Sequence, residues 1–336
     1  MKLAVLGLGC WGLVLLDMLT DNFDEVVGWS RIEDLSDELK NFKRSTKPYE
    51  INLKDKVQIT SDLSYAIKDA DIILLVVATS AVRIVCEQLK SAGIKDSQIL
   101  VNASKGIELP SLKRMSEVIY EVLPNQNVAI LSGPTLAEEV LKGKPTAACV
   151  ACSNLETAKV AQKALNVSGR FRLYTNTDVI GVELGGALKN VIAIASGFLD
   201  ELNMGDNARG ALLARGMAEI VRVSVTMGAN PSTLWGLSGM GDLIATCSSP
   251  LSRNHKVGSM LAQGQKIDDI LKNLGSVAEG VKTSRAICEL SEKIGIETPL
   301  SHAIYEAVYS KENSKEIFLK LMNRELKGEE NFGVKA

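Results

Sequence analysis

Histidine is nearly missing from this sequence. Its 336 residues hold two, His255 and His302, so the side chain that most often moves protons near neutral pH is scarce. Acid–base chemistry must fall to another group. Cysteine is sparse too. Cys10, Cys86, Cys149, Cys152, Cys247 and Cys288 are scattered, at a density far below that of a disulfide-stapled domain, which implies a reducing compartment. One-sided charge is absent: the formal net charge is -2, which excludes a general attraction to nucleic acid or an anionic membrane. Affinity for a phosphate has to come from a local cluster. Internal repeats and low-complexity segments are also absent.

Long hydrophobic runs are few. Lys2 followed by LAVLGLGCWGLVLL has the outline of a signal peptide, and Leu8-Gly9-Cys10 that of a lipoprotein cleavage site. A single lysine, three glycines and Asp17 favour a buried strand over that reading. No other stretch reads as long enough to span a bilayer. The CVAC run, Cys149 to Cys152, sits in the apolar stretch TAACVACS with no second pair or histidine beside it. It reads as core, not as a metal or redox motif.

What the chain does contain is ordinary for a globular protein: 46% hydrophobic and 23% charged residues, at a length that suggests about two domains. The first half alternates strand-like and helix-like segments. LAVLG (3–7), EVVGWS (25–30), VQIT (57–60), DIILLVVA (71–78), QILVNAS (98–104), VAILSG (128–133), TAACVA (146–151) and RFRLYT (170–175) read as strands, and GLVLLDML (12–19) as a helix. That alternation predicts a doubly wound sheet. From Val179 onward the apolar spacing is helical, punctuated at Gly205, Gly228, Gly264 and Gly275. The expectation is an α/β dinucleotide-binding domain of the Rossmann type over 1–178 and an all-α substrate and catalytic domain over 179–336. The tail from Lys327 reads as disordered.

Gly7-Leu8-Gly9-Cys10-Trp11-Gly12 gives GxGxxG directly after the first strand and at the opening of the first helix. The first glycine permits the tight turn and the second lets backbone approach a pyrophosphate. The third allows close helix–strand packing, and the helix start supplies partial positive charge. At the end of the second strand, where NAD sites commonly carry an acid, stands Ser30-Arg31. Arginine there accepts a 2′-phosphate and favours NADP slightly, while nearby Glu33 leaves NAD open.

Lys105 in NASKGIE follows a parallel strand, where ligands of such sheets bind. Gly133-Pro134-Thr135 follows another, with Ala137 opening the next helix. Between Glu183 and Asp200 the only charge is Lys189, in ELGGALKNVIAIASGFLD. A lysine alone in an apolar helix costs stability unless paired or functional. Gly185, Gly186 and Ala193 on its face leave room for another molecule. Asp242, alone in GLSGMGDLIATC, is a plausible partner for its cation. Ser252-Arg253-Asn254 offers hydroxyl, guanidinium and amide donors suited to a phosphate. Glu279 lies in the glycine turn VAEGVKTS.

These segments resemble the soluble NAD(P)-dependent glycerol-3-phosphate dehydrogenases of bacterial type. The resemblance runs to about residue 325 and is carried by GLGCWG, NASKGIE, LSGPTLAEEV, ELGGALKNVIAIASG, NARGALLARG, GLSGMGDLIATC, SRN and VAEG, in the family's order. It implies reversible hydride transfer between NAD(P)H and dihydroxyacetone phosphate, giving sn-glycerol 3-phosphate for glycerophospholipid synthesis. Position by position it implies Lys189, as proton donor and acceptor, and Asp242 as the catalytic residues, and both of these with Lys105, Gly133, Thr135, Ser252, Arg253 and Asn254 at the substrate. It also places Cys10, Trp11, Arg31, Lys105, Ala137, Arg253, Val277 and Glu279 at the cofactor. No metal is implied; a cytoplasmic homodimer is.

Four features depart from the family. Cys10 stands where serine is frequent, and LVLLDML replaces a small-residue run. Ile32 follows Arg31 where relatives often carry a polar or basic residue. The loop KRSTKPYEINLKDK (43–56) is atypical and carries no transferred contact. The alternatives are a related dehydrogenase acting on a hydroxy acid or acyl-CoA, and a dinucleotide sensor without catalysis. Neither is expected to combine Lys105, Lys189 and the 252–254 triplet.

Overall fold

The computed structural model of the chain describes residues 1–31, 39–45, 49–274, 277–310, 316–317, 320–321, 323–326 and 328. Expectations for Ile32, Glu33, Gly275 and, apart from Gly328, the tail from Lys327 lie outside the described residues. The chain divides into two compact units. One comprises Met1–Ser104 and Met115–Val179; the other comprises Lys105–Arg114 and Ile180–Ala336. A single cut near residue 178 assigns 105–114 to the first unit, and the structure differs. Ile107 belongs to the core of the helical unit, with Leu109 and Leu112 packed against it.

The first unit is built on an eight-stranded sheet. Its strands are β1 (Lys2–Leu6), β2 (Glu25–Trp29), β5 (Val57–Thr60), β6 (Ile72–Leu75), β7 (Ile99–Asn102), β8 (Asn127–Ser132), β9 (Thr146–Ala151) and β10 (Phe171–Asn176), with a short ribbon of β3 (Arg44–Ser45) and β4 (Ile51–Asn52) between β2 and β5. The sheet order is β10-β9-β8-β7-β6-β1-β2-β5. β1 lies between β2 and β6, so successive crossovers diverge there, the place where ligands of such sheets bind.

The doubly wound sheet expected from the strand–helix alternation is present, with one reversal: β8 and β9 run antiparallel. A parallel return must carry the chain back along a six-residue strand, about 20 Å. The connection instead holds one short helix, Ala137–Leu141, which rises roughly 7.5 Å. The ribbon β3–β4 went unread because two-residue strands leave no periodicity.

The helices of the first unit are α1 (Cys10–Leu19), α2 (Leu63–Ile67), α3 (Val82–Ser91), α4 (Met115–Val122), α5 (Ala137–Leu141) and α6 (Leu155–Leu165). β10 is an edge strand, which would offer unpaired backbone to other chains. Here Leu173 is covered from the side: its N–H donates to Asn166 Oδ1 at 3.1 Å, and its carbonyl accepts from Gln162 Nε2 at 2.8 Å.

In the second unit α7 (Val179–Glu201) is followed by α8 (Gly205–Thr226), α9 (Pro231–Leu234), α10 (Asp242–Cys247), α11 (Arg253–Ala262), α12 (Ile267–Leu274), α13 (Glu279–Ile294) and α14 (Pro299–Tyr309). No strand follows residue 178 among the described residues. By length and composition α7 is apolar enough to cross a membrane, contrary to the expectation that no such stretch exists. Every residue from Gly181 to Phe198 is buried in the protein itself, so its apolarity is that of a core helix.

Backbone contact through glycine sets how closely α7 packs. A Cβ on Gly197 would sit 1.8 Å from the His255 carbonyl oxygen, and one on Gly258 would sit 1.8 Å from that of Ile194. Both helices touch through bare backbone, and neither oxygen can retreat. Gly258→Ala is expected to lower stability by about 1–3 kcal/mol, as overpacking does. A thermal melt of the variant showing no loss would refute this account of the packing.

Candidate active site

Asp242 opens α10 after a single π-helical turn, Leu237–Gly241. Its side chain is 2% exposed, and two ammonium groups hold its carboxylate. Lys189 Nζ donates to Oδ1 at 2.8 Å, and Lys105 Nζ donates to Oδ2 at 2.7 Å. One turn along the same helix, Thr246 Oγ1 donates to Asp242 Oδ1 at 3.1 Å and accepts from Lys189 Nζ. Lys189 does not snorkel; its side chain is 7% exposed, and two of its three ammonium N–H groups are taken by Asp242 and Thr246.

Two cations and one anion leave this buried cluster with a net positive charge. Burial disfavours the ammonium of Lys189, Asp242 favours it and Lys105 opposes it. Burial dominates, and the pKa falls to about 8. Burial would raise the Asp242 carboxyl, but the adjacent Lys105 and Lys189 cations outweigh it and hold it below the ordinary carboxylate value. A lysine poised near 8 can both give and take a proton close to neutral pH.

The space expected beside Lys189 is partly filled by this chain. A Cβ on Gly185 would lie 2.8 Å from the Ser238 carbonyl oxygen, so this glycine admits the π-turn that precedes Asp242. Sequence reasoning missed Thr246, whose only signal is its position four residues after Asp242. It also missed Asn190, which accepts from Asn254 Nδ2 at 2.9 Å.

The 252–254 triplet divides its labour. Ser252 caps α11, its Oγ accepting from His255 N–H at 3.2 Å. Asn254 is buried and tied on both sides, since its Oδ1 also accepts from Gly280 N–H at 3.0 Å. That bond joins the start of α11 to the start of α13, where Glu279 is the first residue. Arg253 is different: among the described residues it makes no hydrogen bond or ion pair. Among the described residues the Arg253 guanidinium is wholly uncommitted, and Ser252 keeps its hydroxyl proton while its oxygen caps α11. Val277, two residues before α13, is exposed.

In the first unit the glycine loop lies between β1 and α1. Gly7 has φ of +101°, and a Cβ there would meet the Val76 carbonyl oxygen at 2.5 Å. Gly12 lies against Gly7, where a Cβ would come within 1.8 Å of the carbonyl oxygen. Gly9 meets nothing within 4 Å. The chain's own packing demands Gly7 and Gly12 but not Gly9. Open space at Gly9 beside a helix start, whose first N–H groups lack internal acceptors, fits a pyrophosphate.

Trp11 packs edge-on to Phe171 with ring centroids 6.4 Å apart, and Cys10 is half-buried. Arg31 is exposed just past β2. Gly133, at φ +143°, would place a Cβ 2.9 Å from Ala148 Cα on β9, while Thr135 Oγ1 donates to its carbonyl at 3.1 Å. Ala137 opens α5. Cys149 and Cys152 are buried free thiols, and burial pushes the Cys149 thiol up to about 12.

A parallel-rich sheet with a glycine loop at its switch point, joined to a helical unit with a buried lysine–carboxylate cluster, defines the class of two-domain nicotinamide-dependent dehydrogenases. The chain belongs to the NAD-dependent glycerol-3-phosphate dehydrogenase family. It matches the family's N-terminal domain over residues 2–158 and its C-terminal domain over residues 178–319. It is 44% identical over 335 residues to the glycerol-3-phosphate dehydrogenase (NAD(P)+) of Pediococcus pentosaceus, covering 98% of each chain, and 43% identical to that of Enterococcus faecalis, again over 98% of each. The crystal structure of glycerol-3-phosphate dehydrogenase from Coxiella burnetii shares 32% identity with a TM-score of 0.90, covering 96% of this chain and 99% of that one. A D-mandelate dehydrogenase, at 17% identity and a TM-score of 0.62, shares the fold alone.

Asp242→Asn removes the anion that favours the Lys189 ammonium and leaves Lys105 opposing it. The Lys189 pKa is therefore expected to fall further below about 8, read by competitive acetylation across a pH series. A rise would overturn the charge assignment.

Proposed function

We propose that this protein catalyses reversible hydride transfer between NAD(P)H and dihydroxyacetone phosphate, giving sn-glycerol 3-phosphate. The observation that carries the reading is the buried Lys189, held by Asp242 at 2.8 Å with its pKa brought down to about 8. The names of the relatives supply the substrate class. In this reading residues 1–178 bind the dinucleotide and 179–336 act on the substrate, with Lys105 contributing beside Lys189. Gly7, Gly9, Cys10, Trp11 and Gly12 would hold the pyrophosphate side of the cofactor, with Arg31, Ala137, Val277 and Glu279 at its other groups. The exposed Arg31 tips the preference slightly towards NADP, because a guanidinium suits a 2′-phosphate.

Bound nicotinamide supplies the hydride to the ketone carbon. Lys189 gives its proton to the oxygen that becomes negative as the hydride arrives. Lys105 keeps the cluster positive, which favours that oxyanion. Arg253, with no partner among the described residues, pairs with the phosphate dianion, and Ser252, with its hydroxyl proton left to donate, assists. Gly133 and Thr135 complete the substrate contacts. Held in this way, the carbonyl meets the proton donor without a search, a proximity effect. In the reverse direction neutral Lys189 takes the hydroxyl proton of glycerol 3-phosphate. We extend the reading to a cytoplasmic homodimer that supplies glycerophospholipid synthesis, on the strength of the family resemblance.

Purified protein with NADPH should consume it when dihydroxyacetone phosphate is added. A hydroxy-acid dehydrogenase would ignore that ketone, and a sensor would bind NADPH without turnover. Reduction needs protonated Lys189, so its rate should fall as pH rises through about 8, and the oxidation rate should rise over the same range. Lys189→Met should lose turnover by about a hundredfold or more while still binding NADPH. Wild-type turnover in that variant would remove Lys189 from the mechanism. Arg253→Ala should raise KM for dihydroxyacetone phosphate at least about tenfold, the scale of one charged hydrogen bond, with little change for an unphosphorylated ketone. Equal effects on both would refute a phosphate contact.

A further inference from the structure

The segment that carries Lys105 is tied at both ends to the helical unit. At one end Lys105 meets Asp242 at 2.7 Å. At the other, Arg114 Nη1 meets Glu183 Oε2 at 2.6 Å, with side chains 12% and 6% exposed. Between them Ile107 and Arg114 pair in an antiparallel bridge, and Glu108 N–H donates to the Lys113 carbonyl at 2.9 Å. Leu112 holds φ at 60°, a left-handed conformation that a bulky side chain keeps only when its surroundings over-determine it. Glu183 lies on α7, six residues before Lys189. The helix that presents one lysine of the cluster therefore also anchors the segment that presents the other.

We propose that Arg114 and Glu183 are positioning residues: their buried ion pair latches the Lys105–Arg114 segment to α7 and so fixes Lys105 against Asp242, at a set distance from Lys189. The proposal rests on the reaction read above for those lysines. Stability alone does not call for such a pair, because apolar residues of similar volume generally serve a core as well or better. A charged pair adds direction. Arg114 can meet the Glu183 carboxylate in few orientations, whereas Ile107, Leu109 and Leu112 would tolerate a slide of the segment along α7.

The double variant Arg114→Met/Glu183→Met tests this without leaving a buried charge unpaired. It is expected to melt close to the wild-type temperature. With NADPH affinity unchanged, its kcat/KM for dihydroxyacetone phosphate should fall by about tenfold to a hundredfold, the scale of a misplacement near 1 Å. A second readout needs no turnover. The groups facing the Lys189 ammonium are Asp242, Lys105, Thr246 and Cys247, and the Cys247 thiol is pushed up to about 12 by burial and stays neutral. Freeing Lys105 removes an opposing cation and leaves Asp242 to Lys189 alone. The Lys189 half-titration, followed by competitive acetylation, should then move up from about 8.

A double variant with wild-type kcat/KM and an unmoved Lys189 titration overturns the proposal, and so does one that fails to fold, which would make the pair a stability element. If the wild type does not reduce dihydroxyacetone phosphate, the functional reading fails by itself. The Lys189 titration in the two proteins still decides whether the latch exists.

Discussion

The second unit is organised around one carboxylate placed between two ammonium groups. Asp242 is 1% exposed, and an unpaired charge at that depth would be strongly destabilising. Lys189 in an apolar helix would be as costly without it. Three pieces of chain remote in sequence meet at this point: the 105–114 segment, α7 and α10. Neither the Lys189 nor the Asp242 charge is tolerable by itself at that depth, so the fold is specified where they coincide. The cluster is also one positive charge in excess, which makes it favourable for negative charge developing on a nearby oxygen. Structure and chemistry here draw on the same imbalance.

Such a cluster is useful only if its atoms are held to fractions of an ångström. The means is close backbone packing. α7 touches α11 through Gly197 and Gly258, and admits the π-turn before Asp242 at Gly185. Contacts of bare backbone leave no side-chain rotamers to relax, so Lys189 and Asp242 are presented from elements with little freedom to slide. The hydrogen bonds of Asn254 extend this order to the start of α13. They leave Arg253 next to a rigid neighbour but itself uncommitted.

Much of this was legible in the sequence for identifiable reasons. Lys189 stood out because a single charge in a long apolar helix needs an explanation, and Asp242 because it was equally isolated. The strands of the first unit were legible because each is a continuous apolar run, as strands buried on both faces must be. The reversal at β9 was not, since strand direction depends on whether a connection can return the chain, and periodicity carries no such information. The allegiance of residues 105–114 was hidden because it is set by contacts with α7 and α10, far along the chain. Glu183 and Arg114 were hidden for the same reason: an acid opening an apolar run and an arginine in a loop each look like solvated residues. The fold uses the Ser252 hydroxyl oxygen as a cap acceptor and an Asn254 amide N–H as a cross-link, uses that residue types alone do not reveal.

The direction of the Lys189 shift could not be read from residue types, because burial and Lys105 push one way and Asp242 the other. Geometry resolves it: burial prevails, but the carboxylate at 2.8 Å limits the fall to about 8. An ordinary lysine, near 10.4, would be neutral in fewer than about one molecule in a thousand at pH 7 and could not serve as a base. Near 8 that fraction becomes about one in ten, while most molecules still hold a proton to give. Without Asp242 the ammonium would be lost and the acid with it; without burial and Lys105 the base would be lost. The proton transfer we propose for Lys189, in both directions, needs all three influences, and their opposition is what keeps either protonation state within reach.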